Sequence, residues 1–238
     1  MGNVWRLIIH GELSPRLNMD IDEALLQAHT RGECPPTLRF YRWSPPAVSL
    51  GYFQKKDGIS PKALEEMGIE VVRRSTGGRA VLHWGDLTYS IVARAGKDTP
   101  IDLLESYKYL CQGLLAGMSL LGVEAFLGSE KPSSPFPGSC FAVSTPGDIT
   151  WRGKKFIGSA QKRVGDFLLQ HGSILLKPQG DLLTRIFSGE KGSGSASLKE
   201  KVTSIEEILG EPVTPEKVIC AVMAGFERAL GISFGSEM

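Results

Sequence analysis

Apolar and polar positions along the 238-residue chain recur with the two periods that mark strands and helices. Residues 4–9 (VWRLII), 37–43 (TLRFYRW) and 47–53 (AVSLGYF) are dense in β-branched and aromatic residues and predict strands. Ser44-Pro45-Pro46 separates the last two, where proline removes ladder donors. Residues 18–31 place Ile21, Ala24, Leu25 and Ala28 on one helical face, with Asn18 as the expected N-cap. Ser60 and Pro61 open a short helix that Gly68 stops. Strands are predicted at 70–74 and 86–93, the second alternating Leu87, Tyr89 and Ile91 with Thr88, Ser90 and Val92. The longest predicted helix, 102–121, carries Cys111 in its apolar stripe beside Leu114 and Met118, so Cys111 is expected to pack.

Further along, residues 128–139 (GSEKPSSPFPGS) form a long connection that delivers the chain to Cys140. Residues 148–151 and 156–159 predict a hairpin around Arg152-Gly153, and 167–176 another strand. Residues 189–197 are flexible by composition, whereas Ser204 with Glu207 reads as a capping box and Thr214-Pro215 starts a last helix. Neither a repeat nor a strong boundary appears. The expectation is one domain over 1–238, of which 186–238 is a helical C-terminal part.

Composition narrows the function by exclusion. A formal net charge of +1 provides no global field for nucleic acid or an anionic membrane. No apolar run approaches a membrane span, and the N-terminal stretch MGNVWRLIIHGELS lacks a secretory leader, so a cytoplasmic protein is expected. The four cysteines, 34, 111, 140 and 220, are too far apart for a local CxxC site. Neither a metal nor a cofactor is expected.

Two stretches carry candidate chemistry. In RRSTGGRAVLH (73–83) glycines stand between basic residues, but strands flank the loop on both sides. A phosphate cradle needs its glycines to open a helix, so the pattern does not predict one. Cys140 is either a buried small hydrophobe or a nucleophile; the cationic stretch GKKFIGSAQKR (153–163) raises the second reading. Strand alternation aims Lys155 into a polar site, where an ammonium favours thiolate and polarises a carbonyl, while Lys154 fits a solvated turn. The small residues Gly158, Ser159 and Ala160 let a ligand approach the backbone. His83 and His171 lie among apolar residues, as bases or as histidines satisfied by neighbours.

In combination and order, NMDIDEALL, LRFYRWSPPAVSLGYFQ, VVRRSTGGRAVLH, DLTYSIV, GKKFIGSAQKR and LLQHGSILL resemble the lipoate-biotin ligase and octanoyltransferase superfamily, within it the LipM-type octanoyltransferase branch. The resemblance implies an α+β fold, a mixed sheet flanked by helices as in biotin and lipoate ligase catalytic domains. It implies octanoyl transfer from acyl carrier protein to a lysine of a lipoyl domain such as glycine cleavage H protein, by a monomer. Cys140 would be the nucleophile and Lys155 the residue that holds or activates the acyl carbonyl. Arg73, Arg74, Thr76, Gly77, Gly78, Arg79, Ala80 and His83, with Gly158, Ser159, Ala160 and His171, would bind substrate. Arg73, Arg74, Arg79, Lys162 and Arg163 would offer a basic rim to acidic carrier and lipoyl domains.

Three other activities compete: an amidotransferase between lipoyl domains, an ATP-dependent lipoate or biotin ligase, and a noncatalytic module that binds lipoyl domains. Arg79, where such ligases commonly have glycine, and the short tail point away from adenylation.

Overall fold

A computed structural model gives the structure and describes residues 3–128, 147–187 and 200–235. Cys140, Phe141 and the glycine-rich 189–197 stretch lie outside the described residues.

The large sheet begins with β1 (Asn3–Leu13), which pairs in parallel with β2 (Thr37–Trp43). From β2 it continues antiparallel through β6 (Leu87–Arg94), β10 (Phe167–Ile174), β9 (Lys154–Val164), β8 (Ile149–Trp151) and β7 (Phe126–Leu127). A smaller sheet has β3 (Ala47–Leu50) between β4 (Glu70–Arg73), parallel to it, and β5 (Val81–His83), antiparallel.

Helix α1 (Pro15–Thr30) packs against β6 and β10. Helix α2 (Pro61–Glu66) precedes β4 and is capped by Ser60 as expected. The main core joins α3 (Leu103–Leu120), through Leu110, Leu114 and Met118, to Tyr89 and Ile91 of β6. After β10 come α4 (Gly180–Phe187), α5 (Ile205–Leu209) and α6 (Pro215–Leu230), and α6 adds Val222 and Phe226 to that core. The mixed sheet flanked by helices is the expected class. None of the described helices is long and apolar enough to cross a membrane.

Four local differences from the sequence reading have physical causes. Helix α1 starts at Pro15 with Ser14 as its N-cap, and Asn18 is buried, donating to the carbonyls of Leu13 and Arg42. Its buried stripe is Pro15, Asn18, Asp22, Leu26 and His29, whereas Ala24 is exposed, because this helix meets a polar interior. Strand β3 stops at Leu50: Gly51 lies so close to the glycine loop that a Cβ there would stand 1.9 Å from the Gly78 carbonyl oxygen. Strand β9 runs on through the charged residues to Val164, paired with β10 from Ile157 to Val164. The 186–238 part is not wholly helical, since β11 (Ile232–Gly235) extends the large sheet beside β1.

Helices α3 and α6 cross with their backbones nearly in contact. A Cβ at Gly225 would lie 2.3 Å from the Gly117 nitrogen and 2.4 Å from the Gly113 carbonyl oxygen. Gly225→Ala is therefore expected to force the helices apart and destabilise the protein by at least the ~1–3 kcal/mol of ordinary overpacking. A urea midpoint equal to wild type would refute the close crossing.

Candidate active site

The loop between β4 and β5 is held by guanidinium groups that bind backbone carbonyls. Arg74 is buried and donates to the carbonyls of Ser49 (2.8 Å), Gly77 (2.7 Å) and Arg79 (2.7 Å) and to the Thr76 hydroxyl (3.1 Å). Arg73 donates through Nη1 to the carbonyls of Gly51 (2.6 Å), Tyr52 (2.9 Å) and Gln54 (2.8 Å). Gly78 takes φ +90°, a backbone region that favours glycine. The result is a preorganised loop.

Below it sits a buried carboxylate. Asp22 of α1 binds Arg39 Nη1 at 2.7 Å and accepts from Tyr41 (2.9 Å) and Ser90 (2.7 Å). It also meets His171 Nδ1 at 3.1 Å. Burial pushes the Asp22 carboxyl up, but the His171 hydrogen bond, with Arg39 and Ser90, more than offsets this and holds it below its ordinary value. Burial pushes the His171 imidazole down beyond what Asp22 restores. The ring is therefore neutral at pH 7, donating from Nδ1 to Asp22 and accepting at Nε2 from the Thr76 hydroxyl, 2.7 Å away.

His83 belongs to a second network. Its Nδ1 lies 2.9 Å from Asp86 Oδ2 and its Nε2 2.9 Å from the Ser49 hydroxyl, and its ring stacks on Trp43 at 3.9 Å. Asp86 Oδ2 also accepts from Ser173 and Thr88. Both histidines are thus satisfied by neighbours.

Between these networks lies a narrow pocket with about 30 Å³ of internal volume behind an open mouth. Its walls are Gly158, Ser159 and Ala160 of β9, His171 and Gly172 of β10, and Trp43, Val81, Ser49 and Met19 from the facing elements. The hydroxyls and imidazoles bond one another behind the wall, so the surface turned to the cavity is mostly carbon. Such a lining suits an unbranched acyl chain.

Of the expected substrate residues, Arg74, His83, Gly158, Ser159, Ala160 and His171 line this pocket. Thr76 stands behind His171, Ala80 is buried in the core under the small sheet, and Gly77 and Gly78 are exposed. Arg79 keeps a buried Nη1 that has no hydrogen-bond partner among the described residues. The expected basic rim needs correction. Arg74 is buried, Lys162 pairs with Glu23 at 3.1 Å, and Arg163 donates to Ile101, Asp102 and Ser106. Sequence reading missed Met19, Tyr41, Trp43, Ser49, Val81, Thr88, Gly172 and Ser173; only the small size of Gly172, between two strands, hints at a close approach.

Lys155 is buried in a polar site, as alternation implied, and Lys154 is exposed. Its Nζ lies 2.9 Å from Asp148 Oδ1, and the carboxylate is also buried. The same carboxylate, after burial itself, helps push the Cys111 thiol up to about 12, so Cys111 is the inert packing residue expected. Lys155 does not line the pocket, and its distance to Cys140 falls outside the described residues. Among the described residues no group of three His, Cys, Asp or Glu side chains is placed to hold a metal.

Two outcomes test this electrostatic description. Lys155→Met removes the ammonium from a buried carboxylate and is expected to cost ~3–5 kcal/mol of stability, part of which returns in the Lys155→Met/Asp148→Asn double variant, read by urea unfolding. The unfolded chain binds a proton near pH 6.5 that the folded His171 ring refuses, so wild-type stability falls as pH drops below that value. His171→Gln should flatten the pH 7 to 5 slope by at most ~1.4 kcal/mol per pH unit; an unchanged slope means the ring titrates normally.

Comparison with known proteins adds a family. Residues 14–227 match the model described as lipoyl protein ligase A/B catalytic domain. Octanoyltransferase LipM of Symbiobacterium thermophilum is 43% identical over 96% of this chain and 87% of its own length. Octanoyltransferase LipM of Lysinibacillus sphaericus is 40% identical over the same shares. Among solved structures, protein Ta0514 from T. acidophilum with bound lipoic acid superposes with a TM-score of 0.82 at 26% identity, covering 98% of this chain and 88% of that one. Lipoate-protein ligase A bound with ATP gives 0.81 at 26% identity, covering 100% and 89%.

Proposed function

This chain belongs to the lipoyl protein ligase A/B catalytic-domain family, and on that premise we propose that it is an octanoyltransferase acting through a cysteine acyl-enzyme. The donor is octanoyl-acyl carrier protein and the acceptor a lysine of a lipoyl domain such as glycine cleavage H protein. The observation that carries this reading is the carbon-surfaced pocket between β9, β10 and the small sheet, in a chain similar over nearly its full length to octanoyltransferases. Lipoic acid, bound by Ta0514, shares its eight-carbon chain with octanoate, so one pocket form serves both.

The chemistry runs in two exchanges. The Cys140 thiolate attacks the carrier thioester carbonyl, the new C–S bond forms, and the carrier thiolate leaves and takes up a proton. The neutral lysine amine then attacks the acyl-enzyme carbonyl, a C–N bond forms, Cys140 leaves as thiolate, and the amine loses a proton. Amide formation drives the second exchange without ATP. In this reading Lys155 faces the developing oxyanion, a role worth ~10²–10³ in rate for one well-placed donor. Asp148 pairs with the buried Lys155 ammonium at 2.9 Å.

The test is intact mass of wild type and Cys140→Ala after incubation with octanoyl-acyl carrier protein and no ATP. A hydroxylamine-labile octanoyl adduct on wild type alone is expected. No adduct on either, with lipoyl-domain modification appearing only when ATP and free acid are added, would instead make the chain a ligase like the ATP-bound relative.

A further inference from the structure

The turn after β3 holds two aromatic rings in solvent. Phe53 is 89% exposed and Tyr52 53%, and their rings meet edge to face at 4.7 Å. This turn is firmly tied down. Arg73 grips three of its carbonyls, the Tyr52 amide donates to the Thr76 carbonyl at 2.9 Å, and the Gln54 amide closes on the Gly51 carbonyl at 3.0 Å. Lys55 and Lys56 follow, both exposed and without an ion-pair partner among the described residues. A rigid apolar knob rimmed by cations is what a protein interface presents at its centre.

The turn also adjoins the pocket. Gly51 is two residues beyond Ser49 of the pocket wall, and its carbonyl is held by Arg73, the neighbour of the pocket-lining Arg74. Position decides the occupant. A phosphopantetheine arm lets its carrier sit well away from the thioester, but a lysine side chain is far shorter, so the domain that bears it must seat beside the mouth.

We propose that the Tyr52–Phe53 turn, with Lys55 and Lys56, is the docking seat for the acceptor domain, a folded domain whose surface around the target lysine is acidic. The inference rests on the octanoyltransferase reading for its substrate. Aromatic contact provides the anchor, and the two ammonium groups orient the acidic partner.

Phe53→Ser and the Lys55→Glu/Lys56→Glu double variant test it in the full-length chain. Three rates are compared with wild type: Cys140 acylation by octanoyl-acyl carrier protein, transfer from preformed octanoyl-enzyme to an apo lipoyl domain over a concentration series, and transfer to hydroxylamine. Expected is a loss of about tenfold or more in the subsaturating lipoyl-domain rate, with the acylation and hydroxylamine rates unchanged. Unchanged lipoyl-domain transfer overturns the proposal. So does an equal fall in acylation, which would seat the carrier here, or a fall in the hydroxylamine rate, which would make the turn part of the pocket's support. If wild type forms no acyl-enzyme, the octanoyltransferase reading fails by itself. Binding of a fluorescently labelled apo lipoyl domain then decides the seat: weaker binding to both variants supports it, and equal binding overturns it.

Discussion

The Asp22 carboxylate is the constraint on which the site is built. With Arg39 wholly buried against it, the pair survives only if every remaining lone pair and donor finds a partner, since a half-satisfied buried ion costs several kcal/mol. Those partners come from α1, β2, β6 and β10, so one charge fixes the helix against three strands. The requirement also explains why the inward stripe of α1 carries Asn18 and Asp22 where a surface helix would put leucines. Through His171 and Thr76 the same network reaches the glycine loop, whose position is thereby set from the sheet.

Satisfaction of polar atoms decides what the pocket can hold. Ser49, Thr88, His83, His171 and Ser173, with Thr76 behind them, would look hydrophilic if only residue types were counted. Because each spends its polar atoms on Asp22, Asp86 or one another, they turn carbon toward the cavity. A ligand without hydrogen-bonding groups loses nothing by entering, whereas a polar one gives up water without compensation. The two histidines, committed on both ring nitrogens, are positioning groups in this arrangement.

Elements whose period reflects one buried face were legible in the sequence. Strands β2 and β6, the α3 stripe and the Ser60, Ser204 and Thr214 caps all follow from local pattern. Where the buried face is polar, as in α1, or where a strand carries charges used in local pairs, as in the Gln161 to Arg163 part of β9, hydropathy misleads. The three-residue β5 and the terminal β11 owe their existence to partners distant in sequence, a kind of information that no local window holds. The same limit applies to the site. Lys155 and the small residues of β9 could be singled out by motif, but Trp43, Ser49 and Met19 reach the pocket only through the topology.

The glycine loop owes its shape to hydrogen bonds made within the chain. A superposable relative is a ligase bound with ATP, but the glycines of this loop lie between strands and open no helix. In this chain the guanidinium donors of Arg73 and Arg74 already serve six backbone carbonyls, and withdrawing either group would leave several unpaired. Hydrogen bonds from a charged donor are worth ~1.5–3 kcal/mol each, so these arginines act as rivets for the loop. Rivets are also what an acyl pocket needs. An alkyl chain makes no directional bonds of its own, so the shape that selects it must be held rigid by contacts the substrate never touches.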